Sequence, residues 1–194
     1  MNLAEMYRIF ALLLTYPEAE WYGGELAEAS DFVEESATDV QGSETLRGAI
    51  RTVCQLPIAE LARIYVDTFD FDENKALYLT AHEFGDKRER GTALVQLRQM
   101  LMRAGYMEIE GELPDFIPLL LEFLAEQPEA GREWKLHARL HRACHSMMRH
   151  LQTDNPYQPV FAALLEVLPN ESVETLPEAR SLIEEEVPYP ITYE

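Results

Sequence analysis

The chain has 194 residues, of which 47% are hydrophobic, so it is long enough to bury the core of one domain. Its 35 acidic residues outnumber 16 lysines and arginines, which gives a formal net charge of −19. A surface this negative repels phosphate backbones and anionic lipid headgroups, so we expect no nucleic-acid partner and no stable membrane association.

The apolar run Ile9–Leu14, which no other run exceeds, is far shorter than the roughly 20 residues of a membrane-spanning helix. The N-terminus lacks the basic region of a secretory signal. The two cysteines, Cys54 and Cys144, are isolated, which is typical of a reducing compartment. We therefore expect a cytoplasmic protein.

Apolar residues recur every three or four positions along most of the chain, which predicts α-helices. The spacing predicts a first helix over Leu3–Leu14 and a second over Glu18–Ser36. Ser43 is the expected N-cap of a third helix. Pro57 is expected to begin a fourth helix, whose apolar stripe ends at Phe69.

An acidic loop, Asp70–Asn74, follows the fourth helix. Further on, Asp86 and Glu89 have the spacing of a capping box, which predicts a helix that begins there and ends at Gly105. A short linker rich in Gly and Glu comes next.

Two prolines then constrain the start of the next helix. Asp115 is the expected N-cap, which places Pro118 in the first turn, where its missing amide costs nothing. The segment Phe116–Glu126 is apolar on nearly all sides and predicts a central helix. Two more helices are expected over Arg132–Gln152 and Val160–Leu168.

These elements predict an all-α, single-domain helical bundle of roughly seven to nine helices over residues 1–168. Residues 169–194 are rich in proline and acidic residues, including Glu184–Glu186, and predict a C-terminal tail that is partly helical or disordered. We expect a monomer or a weak homodimer, because such bundles can exchange elements between protomers.

Catalytic motifs are missing from the sequence: there is no phosphate-binding glycine loop, nucleophile elbow, His-Glu-x-x-His or paired cysteine motif. We therefore expect no catalytic residue, no cofactor and no metal. The alternative is a metal-binding protein or enzyme that uses His137, His141 and His145, which share one helix face. We favour a structural role for them, because the outer two lie ~12 Å apart along a helix axis and cannot join the middle one on a single ion.

Three stretches of the sequence carry a family resemblance. They are Tyr65–Asp70 (YVDTFD), Leu77–Gly91 (LYLTAHEFGDKRERG) and Glu112–Pro118 (ELPDFIP). In this order and spacing they resemble the delta-subunit, or NarJ-type, assembly chaperones of respiratory nitrate reductase, within the TorD-like all-α chaperones of molybdenum enzymes. The resemblance extends over about residues 3–168.

The resemblance implies a chaperone and not an enzyme. Such chaperones bind the N-terminal segment of the apo catalytic subunit, hold it open for the molybdopterin guanine dinucleotide cofactor, and delay its docking to membrane partners. Nitrate reductase is the first candidate client. Perchlorate, selenate, dimethyl sulfide and ethylbenzene oxidoreductases are the alternative clients. We expect an apolar groove, rimmed by carboxylates, to bind an amphipathic client segment.

The expected partner-binding residues lie in the three stretches. They are Tyr65, Phe69, Asp70, His82, Asp86, Arg88, Arg90, Gly91, Leu113, Pro114, Asp115 and Pro118.

Four of these positions have two interpretations each. Arg88 and Arg90 either pair with Asp70, Asp72 or Asp115 inside the chain, or one of them contacts the partner. His82 either makes an ordinary loop hydrogen bond or is a proton-sensitive group at the interface. Gly91 costs a helix about 1 kcal/mol relative to Ala, which indicates close approach of another backbone, from an internal helix or a bound peptide.

Overall fold

A computed structural model describes residues 1–19, 24–36, 41–106 and 112–169. Within these ranges the chain forms ten α-helices and no strand, which confirms the all-α prediction. Eight of the helices have ten or more residues. Two six-residue helices raise the number above the seven to nine expected. Residues 107–111 of the predicted linker and residues 170–194 of the predicted tail lie outside the described residues.

The helices are, in chain order, α1 (Leu3–Leu13), α2 (Leu26–Glu35), α3 (Ser43–Cys54), α4 (Ile58–Phe69), α5 (Leu79–Phe84), α6 (Glu89–Arg103), α7 (Ile117–Glu126), α8 (Pro128–Glu133), α9 (Leu136–Met148) and α10 (Gln158–Val167).

Helix α7 lies at the centre of the fold, as its apolar sequence predicts. It packs against α1, α8 and α9, and eight of its ten residues are buried. Pro118 occupies its first turn, as expected. Helix α10 closes another side of the core by packing on α3 and α9. None of the described helices has both the length and the apolarity needed to cross a membrane.

The predicted side-chain caps are wrong in three places. Gly42, with φ of 82°, is the N-cap of α3, and Ser43 is the first helical residue. Arg88 is the N-cap of α6, which has no side-chain cap, so Asp86 and Glu89 do not form a capping box. Phe116, not Asp115, is the N-cap of α7, because the Asp115 carboxylate binds a different helix.

Two predicted helices have different bounds. The second helix begins at Leu26 and not at Glu18. The helix expected over Arg132–Gln152 is divided into α8 and α9, because Lys135 adopts a left-handed conformation with φ of 50° between them. Helix α8 also lies very close to α7: a Cβ added at Gly131 would lie 2.2 Å from Cδ2 of Leu124.

Candidate functional site

The second and third motif stretches meet in a short backbone junction, which we call the 77–80/113–117 junction. An isolated antiparallel bridge joins Tyr78 and Phe116. The Leu79 amide donates to the Asp115 carbonyl at 2.9 Å, and the Ile117 amide donates to the Leu77 carbonyl at 2.9 Å. The junction therefore joins the start of α5 to the start of α7.

The Asp115 side chain is the polar centre of this junction. Both Asp115 and Thr80 are fully buried. Asp115 Oδ2 accepts hydrogen bonds from the Thr80 amide, at 3.1 Å, and from the Thr80 hydroxyl. The Thr80 oxygen in turn accepts a hydrogen bond from Nε of Arg90 at 3.2 Å. One threonine thus connects α5, α6 and the segment that leads into α7.

The environment of the Asp115 carboxyl group acts on its pKa in two directions. Burial raises the pKa above its ordinary value, while the hydrogen bonds from Thr80 and the positive charge of Arg90 lower it, and burial is the larger effect. Asp115 Oδ1 is buried and accepts no hydrogen bond from the described residues. The carboxyl group is therefore held by one oxygen only, which makes Thr80 essential to it.

The two arginines of the second stretch have different environments. Arg90 points inward, and its contact with Asp115 is made through the Thr80 hydroxyl. Arg90 therefore interacts inside the chain, as the first interpretation expects, but it does not form a direct ion pair with Asp115. Asp72 pairs instead with Lys75, at 3.2 Å. Arg88 is exposed and makes no ion pair within the described part of the chain.

Two exposed apolar side chains, each following an acidic residue, lie in the segments that lead into the junction. Phe71 is 79% exposed and Leu113 is 39% exposed. Between their segments, the Tyr78 hydroxyl donates to Glu112 Oε1 at 2.9 Å. Burial, then the hydrogen bond and negative charge of Glu112, with a further contribution from Asp70, raise the pKa of Tyr78 to about 12. We call Phe71, Tyr78 and Leu113, with Asp70 and Glu112, the acid-rimmed patch.

His82 and Glu83 fix the short helix α5 to its surroundings. His82 lies in this helix and not in a loop, and its Nε2 is 2.7 Å from the Ala76 carbonyl, an ordinary hydrogen bond. Burial lowers the pKa of His82 below its usual value. Glu83 accepts two hydrogen bonds from Arg139 of α9, at 2.7 and 2.8 Å. This bidentate ion pair between Glu83 and Arg139 holds α5 against the core.

Tyr65 and Phe69 of the first stretch lie in the core. The Tyr65 hydroxyl donates to the Leu14 carbonyl at 3.1 Å. The rings of Tyr65 and Phe69 are 4.9 Å apart, and both pack against Tyr157, at 5.9 and 4.9 Å. These two side chains therefore support the end of α4 from inside and present little surface.

The remaining expected site residues divide into buried and exposed positions. Pro114 and Pro118 are buried at the junction, whereas Asp86 is exposed. Gly91 is also exposed, and a Cβ added there would meet nothing within 4 Å. No internal helix within the described ranges requires this glycine, so the internal interpretation is not supported.

Sequence reasoning missed Thr80, Glu83 and Arg139 as organising residues. Thr80 and Glu83 lie in the second stretch, so the resemblance contained them without assigning them a role. Arg139 is 56 positions from Glu83, and no local pattern indicates that contact.

The histidine face of α9 has a structural environment. His137 is buried, with its ring 5.9 Å from that of Tyr7, while the rings of His141 and His145 stack at 6.4 Å. In the part of the chain with described coordinates, no three His, Cys, Asp or Glu side chains are placed to hold a metal ion. No observation favours the metal-binding alternative.

A crystal structure from Archaeoglobus fulgidus, described as that of a redox enzyme maturation protein, shares this fold. It matches with a TM-score of 0.63 and 20% sequence identity, over 87% of this chain and 94% of that one. The two chains therefore share one arrangement of helices.

The sequence comparisons identify the family. The chain belongs to the nitrate reductase delta subunit family, whose model matches residues 34–163 and so contains all three motif stretches. A Bacillus subtilis protein named as a nitrate reductase molybdenum cofactor assembly chaperone, NarJ, is 35% identical over 127 residues, 65% of this chain and 68% of that protein. The nitrate reductase-like protein NarX of Mycobacterium tuberculosis is 36% identical over 131 residues, 66% of this chain but only 19% of NarX.

Proposed function

We propose that this protein is an assembly chaperone that binds the N-terminal segment of the apo catalytic subunit of a molybdenum reductase, with nitrate reductase as the first candidate. It acts in the cytoplasm, before cofactor insertion and before the client docks to its membrane partners. The observation that carries the proposal is the family match over residues 34–163, which includes the whole junction and the acid-rimmed patch.

The acid-rimmed patch supports this proposal because it suits a basic amphipathic segment. Phe71 and Leu113 offer exposed apolar contacts, and aromatic side chains often supply a large part of the binding energy at interfaces. Asp70 and Glu112 provide negative charge beside them. Apolar burial would give most of the affinity, while the charges would speed association and select basic segments.

The site residues then have two kinds of role. Leu113, Arg88, Asp86 and Gly91 are exposed and are proposed to contact the client. The buried and half-buried residues are proposed to act by positioning. Tyr65, Phe69, Pro114, Asp115 and Pro118 are buried, and His82 and Arg90 are half-buried. Asp115 illustrates the second role, because it anchors the backbone two residues after Leu113.

Titration calorimetry at low salt tests the proposal with a synthetic peptide of the N-terminal segment of the host's nitrate reductase catalytic subunit. We expect micromolar or tighter binding that weakens as salt is added. Phe71→Ser should weaken binding about tenfold, because it removes an exposed aromatic contact from the patch. The matched control is Phe32→Ser, since Phe32 is also exposed but belongs to α2, which packs on α1 and α3 and contains none of the three stretches.

Two results would contradict the proposal. One is the absence of any binding heat with the wild-type chain at low salt. The other is an equal loss of affinity in the Phe71 and Phe32 variants, since binding would then not involve the acid-rimmed patch. Circular dichroism of both variants would establish that they keep the helical fold.

A further inference from the structure

Two apolar side chains on the outward face of α6 are exposed. Arg88, Val95 and Met102 are seven residues apart and so lie on one face of the helix, two turns from one another. Val95 is 47% exposed and Met102 is 61% exposed, whereas the opposite face is buried at Leu97 and Leu101. We call Arg88, Val95 and Met102 the outer face of α6.

Helix α6, with the residues just before it, is also a basic part of an acidic protein. Residues 86–103 contain five basic and two acidic residues, the reverse of the chain as a whole. Lys87 and Arg88 are exposed at the N-terminal end of the helix, where the helix dipole already contributes positive potential. Anionic groups are therefore favoured beside this end of the helix. Within the described ranges, Arg88 forms no ion pair with the acidic residues of the acid-rimmed patch.

A segment with the complementary pattern is part of the same chain. Residues 170–194 contain seven glutamates and one arginine. Within them, Leu182 and Ile183 directly precede Glu184–Glu186, and Val187 follows. Apolar and acidic side chains are thus adjacent in this segment, and apolar and basic side chains share the outer face of α6.

We propose that the acidic C-terminal segment, residues 170–194, docks on the outer face of α6 of its own chain. Glu184–Glu186 neutralise the Lys87–Arg88 end, and the apolar residues beside them cover Val95 and Met102. The docking requires no client, so it does not depend on the proposed chaperone function.

The length of the segment permits this contact. Twenty-five residues beyond Pro169 can span up to about 80 Å when extended. A folded chain of this size has a radius of gyration of about 16 Å, so every part of its surface is within reach. Arg88 and Val95 are about 10 Å apart along the helix axis, which about three extended residues cover.

Carbodiimide cross-linking of the intact full-length chain tests the contact, because this reagent joins a lysine directly to a carboxylate. The chain has three lysines, Lys75, Lys87 and Lys135. We expect cross-links from Lys87 to Glu184–Glu186 several times as abundant as those from Lys135, with a yield that falls as salt is added. Equal yields at Lys87 and Lys135, or no link from Lys87, would overturn the proposal.

Mixing unlabelled and ¹⁵N-labelled protein before cross-linking identifies the source of the segment. Links within one isotopic species support docking on the same chain. Links between species at the statistical proportion would assign the segment to a second copy and overturn the intramolecular proposal.

Peroxide oxidation of Met102 gives a second measurement that does not depend on lysine. Glu184→Gln/Glu185→Gln/Glu186→Gln should release the segment and raise the oxidation rate of the Met102 sulfur severalfold. The matched control changes the same number of charges elsewhere in the segment, as Glu171→Gln/Glu174→Gln/Glu178→Gln, and should leave the rate near that of the wild type. No increase in the first variant, or the same increase in both, would contradict the docking.

Discussion

Replacing Thr80 by Val tests whether the junction depends on the Thr80 hydroxyl. The two side chains have nearly the same shape, so the change removes one hydroxyl with little effect on packing. That hydroxyl donates to Asp115 and accepts from Arg90 Nε. After the change, the buried Asp115 carboxyl keeps only the bond from the backbone amide of residue 80, because Oδ1 has no partner among the described residues.

The size of the effect follows from the burial of these groups. A hydrogen bond to a charged group contributes about 1.5–3 kcal/mol, and leaving a buried polar group without its partner adds to the loss. We therefore expect Thr80→Val to lower the free energy of unfolding by about 2–3 kcal/mol. For a chain of this length that corresponds to a fall in Tm of roughly 5–10 °C.

Urea unfolding followed by circular dichroism measures this loss. The matched control is Thr52→Val, because the Thr52 hydroxyl donates to the Gly48 carbonyl of its own helix at 3.0 Å and is not part of a buried network. We expect the control to change stability by less than about 0.5 kcal/mol. Thr80→Ser, which keeps the hydroxyl, should recover most of the loss.

A double-mutant cycle with Asp115→Asn separates the Thr80–Asp115 contact from other effects of the substitution. Thr80→Val should be less destabilising in the Asp115→Asn background, with a coupling energy of about 1 kcal/mol or more. The reasoning would be refuted if Thr80→Val and Thr52→Val were equally mild. A Thr80→Val penalty that is the same in both backgrounds would refute it too.

Three further predictions concern neighbouring groups. Arg139→Lys should lower the free energy of unfolding by about 1–2 kcal/mol, because lysine cannot make both hydrogen bonds to the mostly buried Glu83. The control, Arg63→Lys in an exposed ion pair, should change it by less than about 0.5 kcal/mol. Equal unfolding midpoints of the two variants in urea would contradict this prediction. The pKa of His82 is lowered in the folded state, so the unfolded chain takes up the proton first and stability is lost as pH falls below about 6.5. Between about pH 8 and pH 5.5, His82→Gln should therefore lose less stability than the wild type. Equal losses would be evidence against this role of His82. Gly91→Ala and Gly48→Ala should each stabilise the fold by about 0.5–1 kcal/mol, since an added Cβ has open space at both sites. Only Gly91→Ala should weaken binding of the client peptide in calorimetry. Unchanged affinity would remove Gly91 from the proposed contact surface.

Helices that are long and strongly periodic could be predicted from the sequence, and shorter ones could not. Helix α7 was expected as a central element because apolar residues occupy all its sides, and it is buried as expected. Helix α5 has only six residues, too few for a 3.6-residue period to be recognised. The break at Lys135 lies at neither a glycine nor a proline, so the sequence contained no turn signal there.

Caps and site roles were harder to predict because they depend on contacts between distant residues. Asp115 has a suitable side chain and position for an N-cap, but Thr80, 35 positions away, donates to its carboxylate instead. Tyr65 and Phe69 lie in a stretch that carries the resemblance, yet their packing against Tyr157 places them in the core. A sequence motif therefore contains both the buried residues that support a surface and the exposed residues that form it.

This distinction decides how binding data on the site can be interpreted. Leu113 is exposed two residues before the buried Asp115, so a substitution at either position could lower client affinity, for different reasons. Loss of Asp115 would disturb the backbone that holds Leu113 and would lower stability as well. Loss of Leu113 or Arg88 would leave the junction intact. Reduced client binding with unchanged stability is therefore the signature of a contact residue, and reduced binding with reduced stability is that of a positioning residue.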